Sequence, residues 1–172
     1  MATKEAGHRV RRATSTESEI QAVLMVLSET PQEIARIARG RSYQQLHRKP
    51  EASAWSAQEI VAHLRACADV WGSSIDRMLA EDHPTIRYVS PRSWIRNTDY
   101  LQQNFRDSLR AFSHRRATLV ETLNRLDATG WSRRATFTAT TLGREATVLS
   151  HATRIADHEV RHLGQLHRTI RA

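Results

Sequence analysis

Two of the chain's nine histidines, His158 and His162, stand four residues apart in the run Asp157-His158-Glu159-Val160-Arg161-His162-Leu163-Gly164-Gln165. On a helix that spacing sets both imidazoles on one face, separated by a rise of ~6 Å, close enough to reach one metal ion. A third histidine, His63, lies far upstream inside another apolar helical run. Three imidazoles meeting inside a helical bundle would leave a coordination position open, as catalytic metal sites do more often than structural ones. The alternative for His158 and His162 is a pair of surface histidines with no ligand.

Turning each residue by ~100° places the apolar residues of this last segment on one side. Val148, Ala152, Ile155, Leu163, Leu166 and Ile170 form the stripe, and His151, His158, His162 and Gln165 line its shoulder. The histidines therefore border the core. Arg154, Asp157, Arg161 and Arg168 lie away from it. Glu159 falls inside the stripe, where an unpaired carboxylate is costly. A metal, or a metal-bound histidine, is the partner expected for it. His151 is two turns from His158 and is expected to line the pocket or support the site from outside, or else to sit on the surface.

The string His158-Glu159-Val160-Arg161-His162 also fits the H-E-x-x-H pattern of zinc peptidases, in which the glutamate is the general base. Such peptidases take a third ligand downstream. Here the residues after His162 offer only His167, on the opposite face, so a peptidase is disfavoured. Cys67, one turn after His63, reads as a small buried hydrophobe, with a reactive thiol as the alternative. Trp55 and Trp71 read as staple and core residues before ligand contacts. The chain has no G-x-S-x-G elbow, phosphate loop or dinucleotide fingerprint.

The elements that position these residues are marked by their starts. In Trp55-Ser56-Ala57-Gln58-Glu59-Ile60, Ser56 is the N-cap, Glu59 closes a capping box, and Trp55 and Ile60 occupy the staple positions. This helix carries Ile60, Leu64, Cys67, Trp71, Ile75 and Met78 at helical spacing, with His63 on its inward half, and is expected to reach about Ala80. Before it, Glu17 to Leu27 forms a short amphipathic helix, and Thr30-Pro31-Gln32-Glu33 predicts a fresh start ending near Gly40. A third long helix is expected over 98–126, with the stripe Leu101, Phe105, Leu109, Phe112, Leu119, Leu123 and Leu126. Thr147 is the expected N-cap of the last helix, which runs to about Ile170. Residues 81–97 read as a connection and 127–146 as a loop with short extended pieces.

Composition sets the class. With 172 residues, 40% hydrophobic, 26% charged, six glycines and four prolines, the chain fits one soluble, mostly helical domain over 16–172, preceded by a disordered basic tail over 1–15. A cytoplasmic location is expected: the basic N-terminus has no apolar signal-peptide core, no stretch spans a bilayer, and the single cysteine suits a reducing compartment. The net charge of +8 raises nucleic acid as a partner. Only Lys4 and Lys49 among the 26 basic residues are lysines, and the arginines are dispersed with no aromatic-interleaved stripe. Nucleic-acid binding is therefore disfavoured.

Two motifs together resemble a known family. Trp55-Ser56-x-x-Glu59-Ile60-x-x-His63-Leu64 is similar to the W-S-x-x-E-hydrophobic-x-x-H-L signature of the DinB-like proteins. His158-Glu159-x-x-His162-Leu163-x-Gln165 is similar to their H-[DE]-x-x-H-x-x-Q ending. The Thr30-Pro31 helix and the arginine-bearing third helix (Arg115, Arg116) agree, and the resemblance covers about residues 17–170. It implies an all-α four-helix bundle, here with a short extra N-terminal helix, often dimeric, holding a divalent metal on three histidines. By position those ligands are His63, His158 and His162. Glu159, where aspartate is frequent in the family, is the expected catalytic carboxylate. Relatives include thiol-dependent S-transferases and mycothiol-dependent maleylpyruvate isomerases.

The resulting expectation is a zinc- or nickel-dependent enzyme acting on small electrophiles, with a low-molecular-weight thiol as cosubstrate and arginines at the pocket mouth holding a carboxylate. The competing reading is a non-catalytic bundle that binds a small molecule or a partner helix.

Overall fold

The computed structural model describes residues 2–139 and 144–171, with side chains from Thr16 onward. Its elements, in chain order, are α1 (Ala2–Ala38), α2 (Tyr43–His47), α3 (Ala57–Ala80), β1 (Thr85–Arg87), α4 (Pro91–Arg96), α5 (Phe105–Asn124), α6 (Ala128–Ser132), β2 (Arg134–Thr138), β3 (Arg144–Thr147) and α7 (Val148–Arg171). Helices α1, α3, α5 and α7 form a four-helix bundle. Around it α1 packs on α5, α5 on α3, α3 on α7, and α7 back on α1. The expected disordered tail over 1–15 falls where side chains lie outside the described residues. No described helix is long and apolar enough to cross a membrane.

The starts written in the sequence hold for two of the long helices. Ser56 accepts a hydrogen bond from the Glu59 amide, and the Glu59 carboxylate accepts one from the Ser56 amide. Thr147 caps α7 in the same reciprocal manner through Ser150: Thr147 Oγ1 accepts from the Ser150 amide and Ser150 Oγ from the Thr147 amide. Each such cap satisfies amides that the first helical turn leaves open, a contribution of about 1 kcal/mol.

Elsewhere the expectation and the structure differ. The short helix over 17–27 and the second start at Thr30 are one continuous helix, with Pro31 inside it. Thr30 does not cap. Its hydroxyl donates back to the Val26 carbonyl at 2.8 Å. Proline removes one backbone bond, but Leu27 and Ile34 on either side are both fully buried. Their shared burial keeps the helix in one piece, and it ends at Gly40, whose φ of +73° suits a residue without Cβ. The third long helix begins at Phe105, not near Thr98, because the Asn104 side chain accepts from the Asp107 amide at 3.0 Å. Leu101 falls outside the helix and is exposed.

The two connections carry more structure than their composition suggests. β1 pairs in parallel with β2, and β2 pairs antiparallel with β3. Buried Ile86, Ala135 and Phe137 turn this small sheet onto one end of the bundle.

The bundle's apolar interior divides in two. One cluster gathers Leu27, Ile75, Met78, Leu123, Val148 and Ile155, and the other Ile34, Ile60, Leu64, Phe112 and Leu166. Between them the four helices contribute Thr30, His63, Arg116, His158, Glu159 and His162, a polar waist across the core. At its centre Arg116 donates to Glu159, and both side chains are only 1% exposed. Removing one partner would leave a buried charge uncompensated. Arg116→Ala is therefore expected to lower unfolding free energy by about 3–5 kcal/mol in urea titrations. A joint Arg116→Met, Glu159→Met replacement should recover most of that loss. Equal losses in the single and the double variant would show that the pair itself is not what the waist relies on.

Candidate metal centre

His63 is carried on α3, four residues before Cys67, and both face the interior. His158 and His162 come from successive turns of α7. The three side chains meet where α3 crosses α7. His158 Nε2 lies 3.2 Å from His63 Nε2 and 3.1 Å from His162 Nε2. Cys67 Sγ lies 3.4 Å from His63 Nε2. The ligand atoms of His63, Cys67 and His158 all fall within 4.8 Å of one another, so this group can hold a metal ion.

The spacing of the imidazole nitrogens matches a tetrahedral edge. With metal–nitrogen bonds of about 2.0–2.1 Å, two ligands of a tetrahedron stand about 3.3–3.4 Å apart. The donor set is also in the right charge state. Burial pushes His63 down to about 4 and His158 down to about 3, and the neighbouring His162 adds to the effect on both. His162 is lowered by burial as well. All three are neutral at pH 7, with lone pairs available. Gln165 Oε1 accepts from His162 Nδ1 at 2.8 Å, which leaves His162 Nε2 as the bare nitrogen aimed inward.

Two tryptophans wall the centre. Trp55 lies parallel to His162, with ring centroids 6.0 Å apart, and edge-on to His63 at 5.1 Å. Trp71 meets His158 edge-on at 4.7 Å. The capping and staple geometry at Ser56 thus also seats Trp55 against the histidines. His63 is buried, while His158 and His162 remain partly exposed, so the cluster opens on one side.

Glu159 does not reach this cluster. Its expected partner was a metal or a metal-bound histidine; its actual partners are Arg116 and Thr30, across the bundle. Consecutive residues on a helix diverge by ~100°, so Glu159 turns toward α5 while His158 faces α3. Burial raises its carboxyl above the usual range, with Arg116 and Thr30 pulling the other way. At 1% exposure it has no surface for contact with a substrate. Nor does any carboxylate among the described residues orient His63 or His158, because His63 Nδ1 and His158 Nδ1 make no hydrogen bond to them.

His151 lies nearer the small sheet, buried and stacked on Phe137 at 5.0 Å. It packs in the core and takes no part in the convergence. Cys67 is the site residue that the sequence pattern reads first as a core hydrophobe, with a reactive thiol as the alternative and no role as a metal donor. Its place one turn after His63 was the available signal, and its thiol is held protonated, its pKa pushed up by burial and by the nearby Glu159 charge.

The family model of the DinB superfamily matches residues 27–166. The chain belongs to the DinB superfamily. Among solved structures it is similar to YfiT from Bacillus subtilis, described as a probable metal-dependent hydrolase with an unusual four-helix bundle topology. That pair shares 18% identity over 91% of this chain and 86% of YfiT, with a TM-score of 0.76. It is also similar to the DinB-like protein YjoA from Bacillus subtilis, at 18% identity over 91% of this chain and 90% of YjoA, with a TM-score of 0.52. At that identity the likeness is one of fold. No curated protein matches the chain by sequence.

The depressed histidines make a pH prediction for the metal-free protein. The folded chain keeps His63, His151 and His158 neutral where an unfolded chain, with an ordinary value of 6.5, takes up protons. Their contribution is complete above pH 6.5 and is lost as pH falls toward about 4 for His63 and His151 and about 3 for His158. Each pH unit that separates the folded from the unfolded value corresponds to about 1.4 kcal/mol. Denaturant midpoints should therefore fall steadily over that window, and His151→Phe should flatten the slope. A midpoint independent of pH between 6.5 and 4 would contradict the burial of neutral imidazoles.

Proposed function

We propose that this protein is a divalent-metal-dependent enzyme whose ion is held by His63, His158 and His162, with zinc or nickel the preferred metals because both accept imidazole donors. The observation that carries this reading is that His158 Nε2 lies 3.2 Å from His63 Nε2 and 3.1 Å from His162 Nε2, neutral histidines from two helices. Three neutral imidazoles meeting inside an apolar core leave a nitrogen lone pair over even when they hydrogen-bond to one another, and a bound ion would satisfy it. A bound divalent ion would supply Lewis acidity, easing deprotonation of a water or a small thiol near neutral pH.

The chain's own residues do the rest. Gln165 holds the His162 ring and its tautomer, and Trp55 fixes the plane of that ring by stacking. Trp71 and Trp55 exclude bulk water from the flanks of the cluster. Glu159 is a positioning residue: through Arg116 it sets the rotation of α7 and so the direction of His158 and His162. With a carboxylate absent from the cluster, proton removal from the nucleophile falls to the ion's acidity and to solvent. That suits attack by a small thiol or water on a compact electrophile, and the DinB resemblance favours the thiol, hence S-transfer. Cys67 lies beneath His63 as a fourth donor atom in reach. The expectations of a homodimer and of a cytoplasmic location stand as further parts of this proposal.

Elemental analysis of protein purified without a histidine tag checks the centre. Near-stoichiometric metal is expected in the parent and in Cys67→Ala, with loss in His63→Ala, His158→Ala and His162→Ala. Loss in Cys67→Ala with retention in His162→Ala would move the centre to the His63, Cys67 and His158 set. Failure of the parent to take up added zinc or nickel would sink the metalloenzyme reading and leave a binding module. Thiol consumption by the loaded protein, measured with small electrophiles beside their hydrolysis, decides between thiol and water.

A further inference from the structure

Every external charge that bears on the three imidazoles is positive. Arg92 lowers His63 and His162, Arg161 lowers His158 and His162, and Arg154 lowers His158. Among the described residues no carboxylate acts on any of the three in compensation. The same three arginines lack an ion-pair partner among the described residues. Some other arginines are paired, Arg36 with Glu33, Arg77 with Glu81, Arg115 with Asp69 and Arg125 with Glu121, and others among the described residues are not; what sets these three apart is their place beside the histidines.

Their placement is ordered. Arg92, at the start of α4, holds its guanidinium over the Trp55 ring at 5.4 Å from the centroid. Arg154, one turn before His158 on α7, lies over Trp71 at 5.2 Å and over Tyr88 at 5.7 Å. These are the same two tryptophans that border the histidines. A guanidinium held near a ring by cation–π attraction keeps N–H groups available to an anion. Arg161 lies between the two α7 histidines in sequence, on the exposed side.

Three guanidiniums beside a divalent cation repel it, and in a partly desolvated mouth that repulsion is not fully screened. An anion at the mouth offsets that repulsion. We propose that Arg92, Arg154 and Arg161 form the recognition rim for a small organic anion, a carboxylate or its phosphonate counterpart, whose charged end is gripped at the mouth while the rest of the molecule faces the histidine centre. This assignment rests on the metal-centre reading, since it places the substrate by reference to that centre. It also accounts for the chain's excess charge locally: a negative ligand is drawn to one basic mouth, with no need for a polyanionic partner.

Calorimetric titration of the full chain, with and without zinc, tests the rim. The probes are benzoate and phenylphosphonate, with benzamide as the neutral match. Both anions are expected to bind more tightly than benzamide. Arg92→Ala, Arg154→Ala and Arg161→Ala should each weaken the anions by about tenfold or more, the scale of one lost charge-assisted hydrogen bond, with benzamide unchanged. Zinc content should remain at the parent level in all three. Arg→Lys variants, which keep charge but not the planar fork, should fall between parent and alanine. Anion affinities that the alanine variants leave intact, equal affinity for benzoate and benzamide, or no binding of either anion to the parent would overturn the proposal. A parent that takes no zinc but binds anions in an arginine-dependent way would fail the metal reading and keep the rim.

Discussion

The ion pair between Arg116 and Glu159 is the constraint around which the bundle is arranged. A carboxylate in the apolar stripe of an amphipathic helix permits few rotations of that helix. Glu159 must meet Arg116 on α5 and Thr30 on α1, and that fixes how α7 is turned about its axis. Once α7 is fixed, His158 and His162 on the next face have one direction open to them, toward α3 and His63. The pair contributes little net stability, because desolvating two charges offsets most of their attraction. What it supplies is specificity of packing. A leucine stripe could slide or rotate by a fraction of a turn at small cost, and a displacement of about 1 Å would spoil a metal's coordination geometry.

The polar waist also explains why the core is divided. Burial of the imidazoles that point inward from α3 and α7 keeps them neutral to lower pH, and it is the largest influence on each of the three. Apolar clusters on both sides supply the low-dielectric setting, and the tryptophans close the flanks while one side stays open. The stability such a waist forgoes is carried by the two clusters it separates. That distribution fits a fold in which the precise placement of a few groups matters more than the greatest possible burial.

How much of this was legible in the sequence depended on the range of the interactions. The starts of α3 and α7 were readable because a cap and its reciprocal partner lie within one turn, as at Ser56 with Glu59. The inward face of α3 was readable from periodicity, and with it the position of His63. Pro31 misled, because its local signal says "start" while Leu27 and Ile34, buried on either side, hold the helix together. Leu101 misled in the opposite direction, continuing the stripe of α5 by spacing although Asn104 ends the preceding turn. Glu159 was correctly marked as a buried carboxylate in need of a partner. Its partner could not be named, because Arg116 is brought to it by the topology of the bundle and by nothing local in the chain. The strand pairing of β1 with β2 is likewise a long-range fact with no short-range trace.

Cys67 shows the same limit at the centre itself. By composition it is a small apolar residue on an inward face, and in the core it packs as one. Its second property, a sulfur 3.4 Å from His63 Nε2, depends on a contact within one helix that its sequence position did suggest, but its relevance depends on His158 arriving from α7. A thiol held protonated is a poor ligand beside neutral imidazoles, since it has to lose a proton before it can compete. A fourth protein ligand would also leave a tetrahedral ion without the open position that a catalytic role requires. In the reading proposed above, the donor set that leaves that position free is the three histidines. The buried thiol then shapes the floor of the centre and leaves the partly exposed side, where His158 and His162 face solvent, as the direction of approach.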